Sequence, residues 1–269
     1  MAFKKLKYWF DEDLAKMLSN KIAVVHPNFN QKKFVKAVSQ KVDNLELKDR
    51  VELIADELHF NIEANYLKNI EILSKILGPE NEEETGMFTN FYWLMPIARY
   101  VEKYGLENFE ISMQAIEAVT KRNTGEYAIR PFIEKYPTQT LNVMKAWSKN
   151  TNKHVRRLAC EGLRPRLPWA KKLDMFIKDP KPILPILNNL KDDSSKYVQK
   201  SVANCINDIF KDNPLIAKQL IEKWKTENIS AMRKWIIKHA LRNLIKTKDA
   251  WAINITSKTQ LKNHNIAKD

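Results

Sequence analysis

The chain has 269 residues, with 46 Lys and Arg against 32 Asp and Glu, five glycines and two cysteines. That length allows one large domain or two small ones with a sizeable core. So few glycines argue against a strand-rich fold and against a Gly-rich phosphate loop, and no apolar run reaches the roughly 18 residues that a membrane span needs.

The basic N-terminal stretch, MAFKKLKYWFDEDLAK, has no apolar core of the kind a secretory signal carries. Cys160 and Cys205 sit in helical apolar patterns without metal-ligand spacing, so both are expected as reduced core residues of a cytoplasmic protein. Charge is unevenly placed. Residues 1–125 hold 17 Lys and Arg against 19 Asp and Glu, whereas residues 126–269 hold 29 against 13. A surplus confined to one part of the chain is the electrostatic footprint of a polyanion-binding surface. The division expected on this basis is a weakly acidic set of N-terminal helices, 1–125, followed by a basic set, 126–269, in one continuous structure.

In chain order, apolar residues at three- and four-residue spacing predict helices over Asp13–Val25, Gln31–Val42, Leu47–Phe60, Tyr66–Leu77, Met87–Tyr104 and Phe109–Arg122. The stops are His26-Pro27, Gly78-Pro79, Gly105 and Asn123-Thr124-Gly125. Glu126 is expected at the start of the next helix, where a carboxylate suits the macrodipole.

A repeat follows. Trp147-Ser148-Lys149, Leu190-Lys191-Asp192 and Trp224-Lys225-Thr226 are each followed, seven residues later, by the segments opening at His154, Tyr197 and Ala231. The units lie 43 and then 34 residues apart. Each reads as a helix, a polar turn and a second helix opening on a basic pair. Units of this size stack, and the expected class is an all-α solenoid of helical pairs.

On a helical wheel of the second helices, Val198, Val202, Cys205, Ile206 and Ile209 form a buried stripe. Lys200, Asn204 and Asp208 climb the other side, with Asp208 drifting to the stripe's edge. The matching ladders are Arg157, Glu161, Arg164 before it and Lys234, Lys238, Arg242 after it. Stacked side by side they predict a basic surface with Glu161 and Asp208 near its middle.

Each feature also has a plainer explanation. Glu161 pairs with Arg157 one turn earlier, and Asp208 braces a neighbouring repeat. Trp169, at the end of the proline-stiffened run Arg164-Pro165-Arg166-Leu167-Pro168-Trp169, is a core anchor or a stacking platform for a nucleobase. Trp147, Trp224 and His154 occupy repeat positions and are expected to be structural. No Cys or His cluster has zinc spacing, no nucleophile elbow is present, and neither metal nor cofactor is called for.

The runs EYAIRPF (126–132), HVRRLACEGLRPRLPW (154–169) and SVANCINDIFKDNP (201–214) resemble the AlkC branch of the HEAT-like-repeat DNA alkylation-repair glycosylases. Similarity extends through LKDRVELIAD (47–56) and ILGP (76–79), covering roughly residues 10 to 250. Departures are small: Cys160 and Cys205 stand where Ser and His are commoner, and Asn150 where an acid is usual.

The resemblance implies a right-handed solenoid of HEAT-like helical pairs with a concave basic face, acting as a monomer on double-stranded DNA in the bacterial cytoplasm. The activity it implies is release of small cationic alkylated bases such as 3-methyladenine. Glu126, Glu161 and Asp208 match the family's active-site carboxylates, Trp169 its lesion-side aromatic, and Arg157 and Arg164 its backbone-gripping arginines. Arg166, Lys200, Lys234 and Lys238 complete the expected DNA-binding set. The competing readings are a non-catalytic HEAT-like protein recognising bent or branched DNA, and a solenoid whose basic face meets an acidic protein. Carboxylates placed beside phosphates count against both.

Overall fold

The computed structural model describes residues 4–62, 65–85, 90–225 and 229–257. Among the described residues the secondary structure is helical, with no strand, and no helix is long and apolar enough to cross a membrane. The chain divides into two compact units, Met1–Pro137 and Thr138–Asp269.

The first unit contains α1 (Glu12–Val25), α2 (Gln31–Ser39), α3 (Leu47–Asn61), α4 (Tyr66–Lys75), α5 (Met95–Tyr104), α6 (Phe109–Thr120) and α7 (Arg130–Lys135). Starts are set by polar side chains that accept the orphan amides of the first turn. Asp11 accepts from Asp13 and Leu14, Asn30 from Lys33, and Asn65 from Leu67. Helix α1 buries Leu14, Leu18 and Ile22 and packs on α2, which buries Phe34 and Val38. Helices α3 and α5 are cross-linked at their rims, where Lys103 Nζ reaches Glu52 Oε1 at 2.7 Å and Asp56 Oδ1 at 2.8 Å.

Two expected starts move, for one reason. The helix expected over Met87–Tyr104 begins, within the described residues, as a 3-10 turn at Tyr92–Leu94 and becomes α-helical only at Met95; residues 86–89 lie outside the described residues. The helix expected at Glu126 begins at Arg130. Pro96 and Pro131 are the second residues of their helices, where the missing N–H costs nothing because first-turn amides have no intrahelical partner, and the fixed φ suits the helix. Glu126 therefore lies in a turn ahead of α7, closed by Ile129 N donating to Gly125 O at 3.0 Å.

The second unit runs α8 (Pro137–Trp147), α9 (Lys153–Glu161), α10 (Asp174–Lys178), α11 (Leu184–Leu190), α12 (Lys196–Asp212), α13 (Pro214–Trp224), α14 (Ala231–Ala240), α15 (Arg242–Lys246) and α16 (Ala250–Ser257). The repeat is visible as three pairs, α8 with α9, α11 with α12 and α13 with α14. A proline stands in the opening turn of each first helix: Pro137, Pro185 and Pro214. Each second helix is capped by a side chain, Asn152, Ser195 or Ser230. Helix α12 packs against both α9 and α14, and its stripe of Val198, Val202, Cys205, Ile206 and Ile209 is buried. Trp147 and Trp224 are also buried. Thr226, in the third turn, lies outside the described residues.

The first member of each basic pair turns back to close its own turn. Arg156 Nη1 donates to Asn150 O and Thr151 O at 2.9 and 2.8 Å. Gln199 Nε2 donates to Asp193 O at 2.8 Å, and Arg233 Nη1 to Trp224 O at 3.2 Å. The arginines also reach the neighbouring pair. Arg156 forks onto Asp193, with Nε to Oδ2 at 2.6 Å and Nη2 to Oδ1 at 3.1 Å, and Arg233 forks onto Asp192.

Arg233 is thus a repeat-joining residue, whereas its neighbour Lys234 is not. Urea denaturation is expected to show Arg233→Ala losing about 1–3 kcal/mol of stability and Lys234→Ala staying within about 0.5 kcal/mol of the parent. Equal losses at the two positions would contradict the division.

Candidate active site

Helix α9 ends at Glu161, and the chain turns through Gly162 and Leu163, with Arg164 N donating to Glu161 O at 3.2 Å. Pro165 prevents the helix from resuming. The connector stays non-helical to Leu173, and its apolar members Leu163, Leu167 and Leu173 are buried beneath it. This geometry turns the Arg164 side chain inward, leaving the residue 8 % exposed.

Arg164 joins Glu161 and Asp208, the two expected active-site carboxylates that lie in this unit. Its Nη1 donates to Glu161 Oε1 at 2.7 Å and its Nε to Asp208 Oδ2 at 2.8 Å. Glu161 is 5 % exposed and Asp208 2 %. The remaining carboxylate oxygens are also occupied. Ser201 Oγ donates to Glu161 Oε2 at 2.6 Å, and Lys211 Nζ to Asp208 Oδ1 at 3.0 Å. Arg157 Nη2 stands 3.6 Å from Glu161 Oε1, and its guanidinium lies 4.6 Å from the centre of the Tyr197 ring.

Burial by itself raises a carboxyl pKa. Here Arg157, Arg164 and the Ser201 hydroxyl outweigh it and hold Glu161 below the usual carboxylate range. Burial also works against the Arg164 cation, but Glu161 and Asp208 push its pKa upward. The result is a hydrogen-bonded acid–guanidinium–acid chain linking α9, the connector and α12. Asp208 was expected at the edge of the apolar stripe with a solvent-facing ladder. It lies instead in the interior, because Arg164 supplies the partner that makes burial of a charge tolerable.

The other expected residues divide. Arg166 is engaged by Asp212, with Nε to Oδ2 at 2.8 Å and Nη2 to Oδ1 at 2.6 Å. Trp169 is 66 % exposed at a φ of 63°, so its indole is not a core anchor. Lys200 and Lys238 are exposed and Lys234 is half-buried. Glu126 belongs to the first unit, buried in its turn, where Thr124 Oγ1 donates to Glu126 Oε2 at 3.0 Å. Gly125 is needed there, since an added Cβ would stand 2.7 Å from Thr120 Oγ1 and 2.8 Å from Ile116 Cγ2.

Sequence reasoning overlooked Ser201, Lys211, Tyr197 and Asp212. Lys211 and Asp212 follow Asp208 by three and four residues, so helical spacing alone marked them as its neighbours. Ser201 and Tyr197 left no signal apart from their place in α12. Cys160 and Cys205 are free and buried. The neighbouring Cys160 thiol, together with burial, pushes the Cys205 thiol up, which keeps it from acting as a thiolate at neutral pH.

Removing the shared cation leaves two buried carboxylates short of charge compensation. Arg164→Ala is expected to cost about 3–5 kcal/mol in chemical denaturation. The sign of the pH dependence follows from Glu161. Its folded pKa is depressed, so its contribution is present above the unfolded carboxylate range and is lost as pH falls through the folded value. Glu161→Gln should therefore flatten the acid limb of a stability–pH curve. An unchanged acid limb would show that the network carries no proton linkage.

The profile of the family described as DNA alkylation repair enzyme matches residues 99–244. Protein YhaZ of Bacillus subtilis (strain 168), itself uncharacterized, is 36 % identical over 249 residues, spanning 92 % of this chain and 67 % of YhaZ. The solved structure of Pseudomonas fluorescens alkylpurine DNA glycosylase AlkC, bound to DNA containing an abasic site analog, superposes with a TM-score of 0.85 at 37 % identity. That match covers 94 % of this chain and 68 % of the Pseudomonas chain. The helical pairs are accordingly a HEAT-like repeat fold, and the chain belongs to the DNA alkylation repair enzyme family, in its AlkC branch.

Proposed function

We propose that the chain is a DNA N-glycosylase that hydrolyses the bond between deoxyribose and a small cationic alkylated purine, such as 3-methyladenine, in double-stranded DNA. The observation that carries this reading is the tie of Glu161 and Asp208 to one buried guanidinium. A base alkylated on a ring nitrogen is already positive, so it departs with the bonding electron pair as a neutral molecule and needs little help from an acid. Positive charge then develops on the sugar, as in the oxocarbenium-like state of glycoside hydrolysis. Water adds at C1′ and loses a proton, leaving an abasic site.

The carboxylates fit the electrostatic part of this reaction. Glu161 is held ionised below the usual range, which makes it a weak proton acceptor but a dependable negative charge. Fixed charge that need not reorganise is the effective kind for stabilising a developing cation. In this reading Asp208 and Glu161 lie nearest the sugar and orient the water. Trp169 packs on the damaged nucleotide. Arg157, Lys200, Lys234 and Lys238 contact the phosphate backbone. Arg164 acts on the carboxylates as well as on the DNA side, and Arg166 is held by Asp212. The right-handed stacking, concave basic face and monomeric state expected from the resemblance go with this reading.

A second reading follows from burial. Carboxylates as enclosed as Glu161 and Asp208 also suit a purely structural network in a non-catalytic protein that binds bent or branched DNA. The two readings part on one assay, release of base from methylated duplex DNA. Asp208→Asn is expected to slow release by about 10²–10³-fold while leaving duplex affinity nearly intact, and full activity in that variant would overturn the assignment. Lys200→Ala and Lys238→Ala should each lower the slope of log affinity against log salt by about 1; an unchanged slope would remove those lysines from the DNA contact.

A further inference from the structure

We propose that Asp212 is a positioning residue for Trp169: its bidentate pair with Arg166 fastens the 164–169 connector to α12 and sets where the exposed indole stands. The link from that indole to a damaged nucleotide rests on the glycosylase reading above.

Asp208 and Asp212 lie one turn apart on the same face of α12, and they take Arg164 and Arg166, two residues apart on the connector. Four helical residues separate the two acids by about 6 Å along the axis, so each arginine meets its own carboxylate. The connector is thus held to the helix by two parallel rungs, with Pro165 stiffening the segment between them. Leu173 N donates to Pro165 O at 3.1 Å and closes the far side of the loop.

Asp212 is the last residue of α12, where the helix dipole disfavours a carboxylate. The helix itself gains nothing from an acid there, whereas Arg166 does. The pair occupies both oxygens of Asp212 in the fork geometry of the stronger arginine–carboxylate contacts. A phosphate approaching Arg166 would have to displace a carboxylate already seated on it. Arg166 is therefore better placed to hold the connector than to grip DNA. Three residues on, Trp169 holds a φ of 63°, a conformation that a non-glycine residue keeps only where its surroundings fix it. The two rungs and the buried Leu167 are the fixings that precede it. Arg166 holds the Asp212 carboxyl below its usual range, and Asp212 holds the guanidinium above its own.

The test has two arms. In protein labelled with 5-fluorotryptophan, the Trp169 resonance, assigned by its loss in Trp169→Phe, should shift or broaden in Asp212→Asn and return in Asp212→Glu. In base-release assays Asp212→Asn should lower the single-turnover rate by about 10-fold or more with duplex affinity little changed. In a Trp169→Ala background it should have almost no further effect. An unmoved fluorine resonance, or rate losses at 212 and 169 that simply multiply, would overturn the proposal. If the parent protein releases no base, the glycosylase reading fails separately, and the fluorine arm still decides whether Asp212 positions Trp169.

Discussion

One buried guanidinium organises the second unit. Arg164 bonds Glu161 at the end of α9 and Asp208 one turn before the end of α12, so the two helices and the connector between them are fixed by a single planar group. Two carboxylates of such low exposure cannot share an interior without a cation, and a lysine in this place would offer a point charge rather than a rigid fork. Ser201, Lys211 and Arg157 take up the remaining negative potential from three sides. The arrangement holds both acids in place while water is mostly excluded, the condition under which fixed charges act most strongly.

Arginine and lysine divide the work of this basic half. Arg156, Arg164, Arg166 and Arg233 each fork onto or bridge carboxylates, joining one helical pair, or the connector, to the next. Lys200 and Lys238 remain exposed. The net surplus of positive charge therefore overstates the DNA-facing part, because several arginines serve the stack itself. Within each basic pair the first residue closes the turn behind it and the second belongs to the ladder, a pattern that Gln199 follows although it carries no charge.

Much of this was legible in the sequence. Helical periodicity, the repeated Trp-Leu-Trp position and the Asn or Ser at each second-helix start all act locally, so one-dimensional reasoning reaches them. Glu161 and Asp208 were singled out because acids amid a basic ladder call for an explanation. What escaped was the inward turn of Arg164. A wheel drawn through α9 places it on the outer ladder, but the helix has ended three residues earlier, at Glu161, and the proline connector re-aims the side chain. The late starts of α5 and α7 escaped for a related reason, since Pro96 and Pro131 fix helix origins more strongly than the apolar pattern before them. Ser201 and Tyr197 matter only through what α9 and the connector bring to them, which no local pattern encodes.

The central claim is that Glu161 and Asp208 form a preorganised negative site for a developing sugar cation. It is tested most directly by comparing the affinity of the protein for two DNA duplexes, one carrying a neutral tetrahydrofuran abasic analogue and the other a cationic azasugar in the same position. The account predicts that the parent protein prefers the cation by about 10-fold or more and that Asp208→Asn loses most of that preference. Equal affinity of the parent for the two duplexes would contradict it.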